Sequence, residues 1–181
     1  MDWKTRRIIY KIKVNQFFRN LKLKINFKIK GLSKWQRANV VEYPDCFLVT
    51  TIHTLKNGPG VHSNIISKIE KESGEQYQLV RLVLEHLDKS RWGVVNFEKS
   101  STIDVVAKLT GRKSIKKQMQ DSKMILISRN KKRIEINPTK NGGSTGPNRG
   151  YDFDKELILL ELPIKEEGFE KEIKRALEMC H

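Results

Sequence analysis

His53 and His62 stand on either side of Asn57-Gly58-Pro59-Gly60. A turn there would bring two imidazoles together, the acid–base pair that some ribonucleases use without metal. The simpler alternative is two histidines at strand ends with no shared task. Pro44-Asp45 begins the PD-(D/E)xK pattern, in which clustered carboxylates hold a divalent ion and a lysine assists the attacking water. Its second half belongs on a following strand. Asp121-Ser122-Lys123 falls at a helix end and Glu172-Ile173-Lys174 on a helix, so neither completes it. Gly142, Gly143 and Gly146 invite a phosphate-binding reading. That loop requires Gly-Lys-Ser/Thr at its end, and Gly146 is followed by Pro147. Cys46 and Cys180, with scattered histidines, do not supply the ligand spacing of a zinc site. His86 sits inside an apolar helical pattern and is expected to be packed. None of these patterns is complete, so no metal or cofactor is expected, and a nuclease resting on Asp45 or His53 stays open as a further alternative.

The element best placed to present side chains runs from Thr110 to Pro138. Ile115 and Met119, four apart among lysines, predict a short basic helix. Met124-Ile125-Leu126-Ile127 has strand length. Ile134 and Ile136 alternate with Arg133, Glu135 and Asn137, a period of two that suits a strand with one wet face. Asn130-Lys131 lies between them as the hairpin turn, and Pro138 is expected to close the second strand.

Elsewhere, Leu21 to Lys30 alternates strictly between apolar residues and Lys or Asn, and predicts a strand. Ile8 to Val14 is a weaker strand. Gly31 to Pro44 reads as a loop or short helix, Cys46 to Thr54 as a strand, and Val61 to Lys71 as a short helix. Ser73 to Arg91 is the strongest helix. Ser73 and Gln76 make a capping box, Glu75 suits the first turn, Lys89 and Arg91 the last, and Gly93 the stop. Asp104 to Leu109 is a short helix ended by Gly111. Asn141 to Gly150 reads as a flexible loop and Glu156 to Leu162 as an inner strand closed by Pro163. A last helix runs from about Glu166 to Cys180, with Phe169, Ile173, Ala176, Leu177 and Cys180 on one stripe.

The 181 residues fit one domain, 1–181, with a basic, strand-rich segment over 1–40. No apolar run approaches the roughly 20 residues a bilayer span needs, and no apolar signal region follows the basic N-terminus. Two cysteines point to a reducing compartment. The net charge of +15 is uneven. Residues 1–37 hold 12 Lys and Arg against Asp2, and 108–140 hold 11 against Asp121 and Glu135. Residues 151–181 reverse the sign, with 9 acids against 5 bases. Such asymmetry has two readings: lysines that simply solubilise exposed faces, or a partner surface for nucleic acid or for an acidic protein. Trp3, Tyr10, Phe17, Phe18 and Phe27 among the N-terminal bases keep nucleic-acid binding open as the alternative function.

Leu109-Thr110-Gly111-Arg112-Lys113-Ser114, Ile134-Glu135-Ile136-Asn137-Pro138, Gly150-Tyr151 and Ala176-Leu177-Glu178-Met179-Cys180, with Leu87-Asp88-Lys89-Ser90-Arg91 upstream, resemble the immunity proteins of bacterial contact-dependent growth inhibition systems. The resemblance covers residues 75–181. It implies a cytoplasmic α+β protein with a twisted, mainly antiparallel sheet flanked by helices. It also implies one-to-one binding to the C-terminal toxin domain, often a nuclease, of a large exported protein from the same locus. No chemistry, nucleic-acid partner or membrane is implied. Nuclease inhibitors are commonly acidic, so for this basic chain either the toxin presents an acidic face, which is the expectation taken here, or contact uses the acidic C-terminal region. Lys131, Lys132 and Arg133 on the hairpin tip and Arg149 on the nearby loop are the expected contacts.

Overall fold

The computed structural model describes residues 14, 35–55, 60–71, 76–94, 102–154 and 156–181. The expected N-terminal strands and the Ser73 cap lie outside these residues. Eight strands form one mainly antiparallel sheet: β1 (Gln36–Glu42), β2 (Cys46–Leu55), β3 (Gly60–Glu70), β4 (Trp92–Val94), β5 (Lys123–Arg129), β6 (Arg133–Asn141), β7 (Tyr151–Phe153) and β8 (Ile158–Glu161). The helices are α1 (Gln76–Asp88), α2 (Thr102–Thr110), α3 (Ile115–Met119) and α4 (Glu166–Met179). The fold is α+β, as expected.

The spatial order is β3-β2-β1-β5-β6, with β7 and β8 both pairing β6 and β4 running parallel beside the end of β2. Strand alternation sorts the side chains into two layers. Ala38 and Val40 of β1 stand opposite Ile127 and Ile125 of β5, and Val40 also faces Val49 of β2. These residues, with Ile134 and Ile136, form the main core beneath Leu79, Val80, Val83 and Leu87 of α1 and Phe169, Ile173, Ala176 and Leu177 of α4. The other face carries a smaller cluster, Tyr43, Cys46 and Leu48, covered by Val106 and Leu109 of α2.

Five expectations change, the last of them at Pro138. Residues 36–42 form a central strand, where a loop or helix was expected, because Val40 and Val41 pair on both sides with apolar neighbours. Residues 61–71 are mostly strand β3: Val61, Ile65, Ile66 and Ile69 are β-branched, and β2 offers a full antiparallel partner. Helix α1 stops at Asp88, so Lys89 and Arg91 follow it, and Gly93 lies in β4 with φ 78°. The apolar strand β8 lies at the edge, pairing only β6, with Leu159 55% exposed.

Pro138 does not close β6, which runs on to Asn141. The Pro138 carbonyl accepts a bond from the Asp154 amide, so both backbone atoms of Pro138 point toward the β7–β8 edge. The missing donor therefore falls at the break between those two strands.

Candidate functional site

The β5–β6 hairpin is locked by its turn residue. The Asn130 carboxamide oxygen accepts bonds from the amides of Lys132 (2.8 Å) and Arg133 (3.0 Å), and the Asn130 amide donates to the Arg133 carbonyl (3.0 Å). This is the local bonding that makes Asn a turn residue. The Leu162 amide donates to the Lys132 carbonyl (2.9 Å), which holds the tip against the end of β8. Lys131, Lys132 and Arg133 are exposed. Arg133 pairs with Glu135 (2.7 Å), and its guanidinium lies 5.7 Å from the Trp35 ring centre. Neither Lys131 nor Lys132 forms an ion pair with a carboxylate among the described residues.

Arg149 is elsewhere. It is exposed in the loop joining β6 to β7, whereas the tip precedes β6. Eight residue steps of about 3.3 Å separate the two ends of the strand, roughly 26 Å. The structure brings Lys131, Lys132 and Arg133 together and leaves Arg149 apart. The Arg149 loop is also bonded shut. Gly142 donates to the Gly150 carbonyl and Gly150 to the Gly143 carbonyl, both at 2.8 Å, while the Asn141 carboxamide donates to the carbonyls of Met119 and Ser122.

Beside the hairpin tip lies a cleft of about 640 Å³. Leu84, Ile134, Leu162, Ile164 and Phe169 line its apolar part, with Trp35 and Trp92 as aromatic walls and Arg129, Lys131 and Glu166 at its polar margin. Trp92 is 48% exposed. Arg129 is fixed in place: it donates to Gln36 Oε1 through Nε (3.0 Å) and Nη2 (2.6 Å), and it pairs with Asp88. Ser90 donates to the Ile52 carbonyl (2.7 Å) and accepts from the Arg37 amide (3.0 Å), tying the segment after α1 to the sheet. Sequence reasoning missed this cleft. Trp35 and Trp92 are far apart in the chain, and only the parallel pairing of β4 with β2 sets Trp92 beside Thr54.

The residues expected to carry chemistry are dispersed. Ile52 pairs with His62 and His53 with Val61, so the two imidazoles leave the sheet on opposite faces and do not form a pair. The His53 ring accepts from the Arg91 amide (3.2 Å), and His62 lies 3.5 Å from the Asn39 carboxamide. Asp45 forms a two-pronged pair with Arg112 (2.5 Å and 3.4 Å), whose guanidinium stacks 4.1 Å from the Tyr43 ring centre. The hydrogen bond from Arg112 holds the Asp45 carboxyl below its ordinary range. Among the described residues, no group of three or more His, Cys, Asp or Glu is arranged to hold a metal. Cys46 and Cys180 are buried free thiols. Burial pushes the Cys46 thiol up to about 11, well away from thiolate reactivity at neutral pH.

One cluster has the outline of a nucleophile and its base. His86 Nε2 lies 2.9 Å from Ser67 Oγ, and His86 Nδ1 lies 2.9 Å from Thr51 Oγ1. The Thr51 hydroxyl donates to the His86 carbonyl (3.1 Å), so it must accept from Nδ1–H, and Nε2 is left to accept from Ser67. The orienting group is thus a neutral hydroxyl. Burial, with help from Lys89, lowers the His86 pKa to about 4. So weak a base suits a buried polar staple between α1 and strands β2 and β3. As expected, His86 is packed, with no exposed surface.

Among the described residues, no helix is long and apolar enough to cross a membrane. No protein-family model matches the chain, and no curated protein matches its sequence. Solved structures do match. A Neisseria meningitidis protein of unknown function aligns with a TM-score of 0.68 and 18% identity, over 82% of this chain and 97% of that one. A chain of the CdiA-CT/CdiI toxin and immunity complex from Yersinia pseudotuberculosis aligns with a TM-score of 0.60 and 14% identity, over 82% of this chain and 98% of that one. At such identities the likeness is one of fold: the described sheet and helices share their architecture with a chain of a toxin–immunity complex.

Proposed function

We propose that this chain is an immunity protein of the contact-dependent inhibition type. It acts in the cytoplasm, binding one-to-one the C-terminal toxin domain of a large exported protein encoded beside it and covering that domain's active site. It performs no reaction of its own and needs no cofactor. The supporting observation is the fold shared with a chain of a toxin–immunity complex over nearly the whole of that chain. The dispersal of His53, His62 and Asp45 agrees with an inhibitor. Lys131, Lys132 and Arg133 form the principal contact patch, and Arg149, at the far end of β6, serves as a separate contact. The toxin's own chemistry is most simply a nuclease.

Calorimetric titration against that toxin domain, with a generic DNA duplex as control, tests this reading. The expected result is one-to-one binding with Kd of about 10 nM or tighter, and weak duplex binding. The net charge of +15 favours a second reading, a nucleic-acid-binding protein. That reading requires duplex affinity that falls steeply as salt rises, because phosphate contacts release counterions. Such affinity without domain binding would replace the first reading with the second.

A further inference from the structure

We propose that the cleft between the hairpin tip, the end of α1 and the start of α4 is the anchor pocket of the toxin interface. Its occupant is an aromatic or large aliphatic side chain on an acidic segment of the toxin domain. The inference rests on the immunity reading above and adds to it the location of the anchor and the chemistry of the partner.

Three features carry it. The first is composition. Binding energy concentrates where a side chain fills a desolvated apolar pocket walled by aromatics and arginine. Trp35, Trp92, Leu84, Ile164 and Phe169 provide such walls, with Arg129 at the margin. The second is rigidity. Arg129 is held by Gln36 and Asp88, and the hairpin tip by Asn130 and by the Leu162 amide. Little ordering is left to be done on binding, and that limits its cost. The third is charge, which selects the occupant. Arg129 and Arg133 have carboxylate partners, Asp88 and Glu135. Lys131 and Lys132 have none among the described residues, and setting Glu166, the acid of the cleft lining, against them still leaves the tip net positive by one charge. A flanking carboxylate on the partner would complete it. The 34 residues before Trp35 hold eleven Lys and Arg against one acid, the same sign as this rim. A second copy of this strongly basic chain is disfavoured for the same reason.

The test labels the full-length protein with 5-fluorotryptophan and titrates it with the toxin domain, following the Trp35 and Trp92 resonances. Affinities of Ile164→Trp, which fills the pocket, and of Lys131→Glu/Lys132→Glu are measured in parallel. The expected result is that both resonances move to saturation at one equivalent and that each variant binds at least about tenfold more weakly. Tight binding with both resonances unmoved overturns the pocket and leaves the immunity reading standing. The fluorine readout on the wild type decides this even if Ile164→Trp fails to fold. Resonances that move with protein concentration alone place a second copy in the cleft and overturn the proposal. So does displacement by a DNA duplex in place of the domain. Absence of any binding to the domain overturns the immunity reading and the anchor pocket with it.

Discussion

His86 makes this protein's stability depend on pH in a direction that can be worked out in advance. Its imidazole is fully buried between Thr51 and Ser67 and has a pKa lowered to about 4, against 6.5 for the free side chain. The unfolded chain therefore binds a proton between those values that the folded chain refuses. A depressed folded-state pKa contributes its full stability above the unfolded value and loses it as pH falls toward the folded one. The whole shift of about 2.5 units corresponds to about 3 kcal/mol, of which about 2 kcal/mol is lost between pH 8 and pH 5. Urea unfolding followed by tryptophan fluorescence at several pH values in this window measures the loss. His86→Gln keeps one donor and one acceptor and has no titrating proton, so its stability should be flatter over the same window by about that amount. His53 is shifted downward as well, by burial and then by Arg91, and His62 by burial, so both add to the slope of both proteins, and only their difference reports His86. Parallel slopes for wild type and His86→Gln, or a His86 imidazole titrating near 6.5 in the folded protein, would refute the reasoning.

Other substitutions probe the frame. Ile127→Ala, at a fully buried site beneath the helices, should destabilise by about 2–5 kcal/mol, while Leu159→Ala on the exposed edge should cost under about 0.5 kcal/mol in the same denaturation assay. Gly142→Ala would place a methyl group 1.6 Å from the Asn148 carbonyl oxygen, so the loop must open. We expect a loss of roughly 2 kcal/mol or more and faster hydrogen exchange at the Gly150 amide. Tyr43→Phe removes the 2.9 Å bond from the phenol to the Gln118 carbonyl and should cost about 1 kcal/mol, read as a lower melting temperature.

The parts legible in the sequence are those where local pattern and tertiary setting agree. The alternation from Ile134 to Asn137, the Asn130 turn and the stripe of Phe169, Ile173, Ala176 and Leu177 each predict the element that forms. The errors occur where partners decide. Residues 61–71 carry no clean period, and β2 makes most of them a strand. Leu157 to Leu160 reads as a buried run, yet exposed Leu157 and Leu159 end on the outside of an edge. Of the candidate site, the charges of the hairpin tip were visible. Their separation from Arg149 was not, because alternation shows which face a residue takes and not which end of the sheet. The cleft was invisible for a similar reason: its two tryptophans come from segments that meet only through long-range pairing.

The β1–β5 seam has a kinetic consequence. Strands β1 to β3 form a run of neighbours in sequence, and β5 to β8 form another. The two runs join along seven antiparallel pairs, from Gln36 with Arg129 to Glu42 with Lys123. That junction closes a very long loop in the middle of the sheet, and non-local pairing of this kind is slow. We expect each half to form its hairpins first and the seam to close late, when Ala38 and Val40 meet Ile127 and Ile125. A chain nicked between Val94 and Thr102 would leave both runs of strands whole. Recovery of native structure from the two fragments would time the closure of the seam directly.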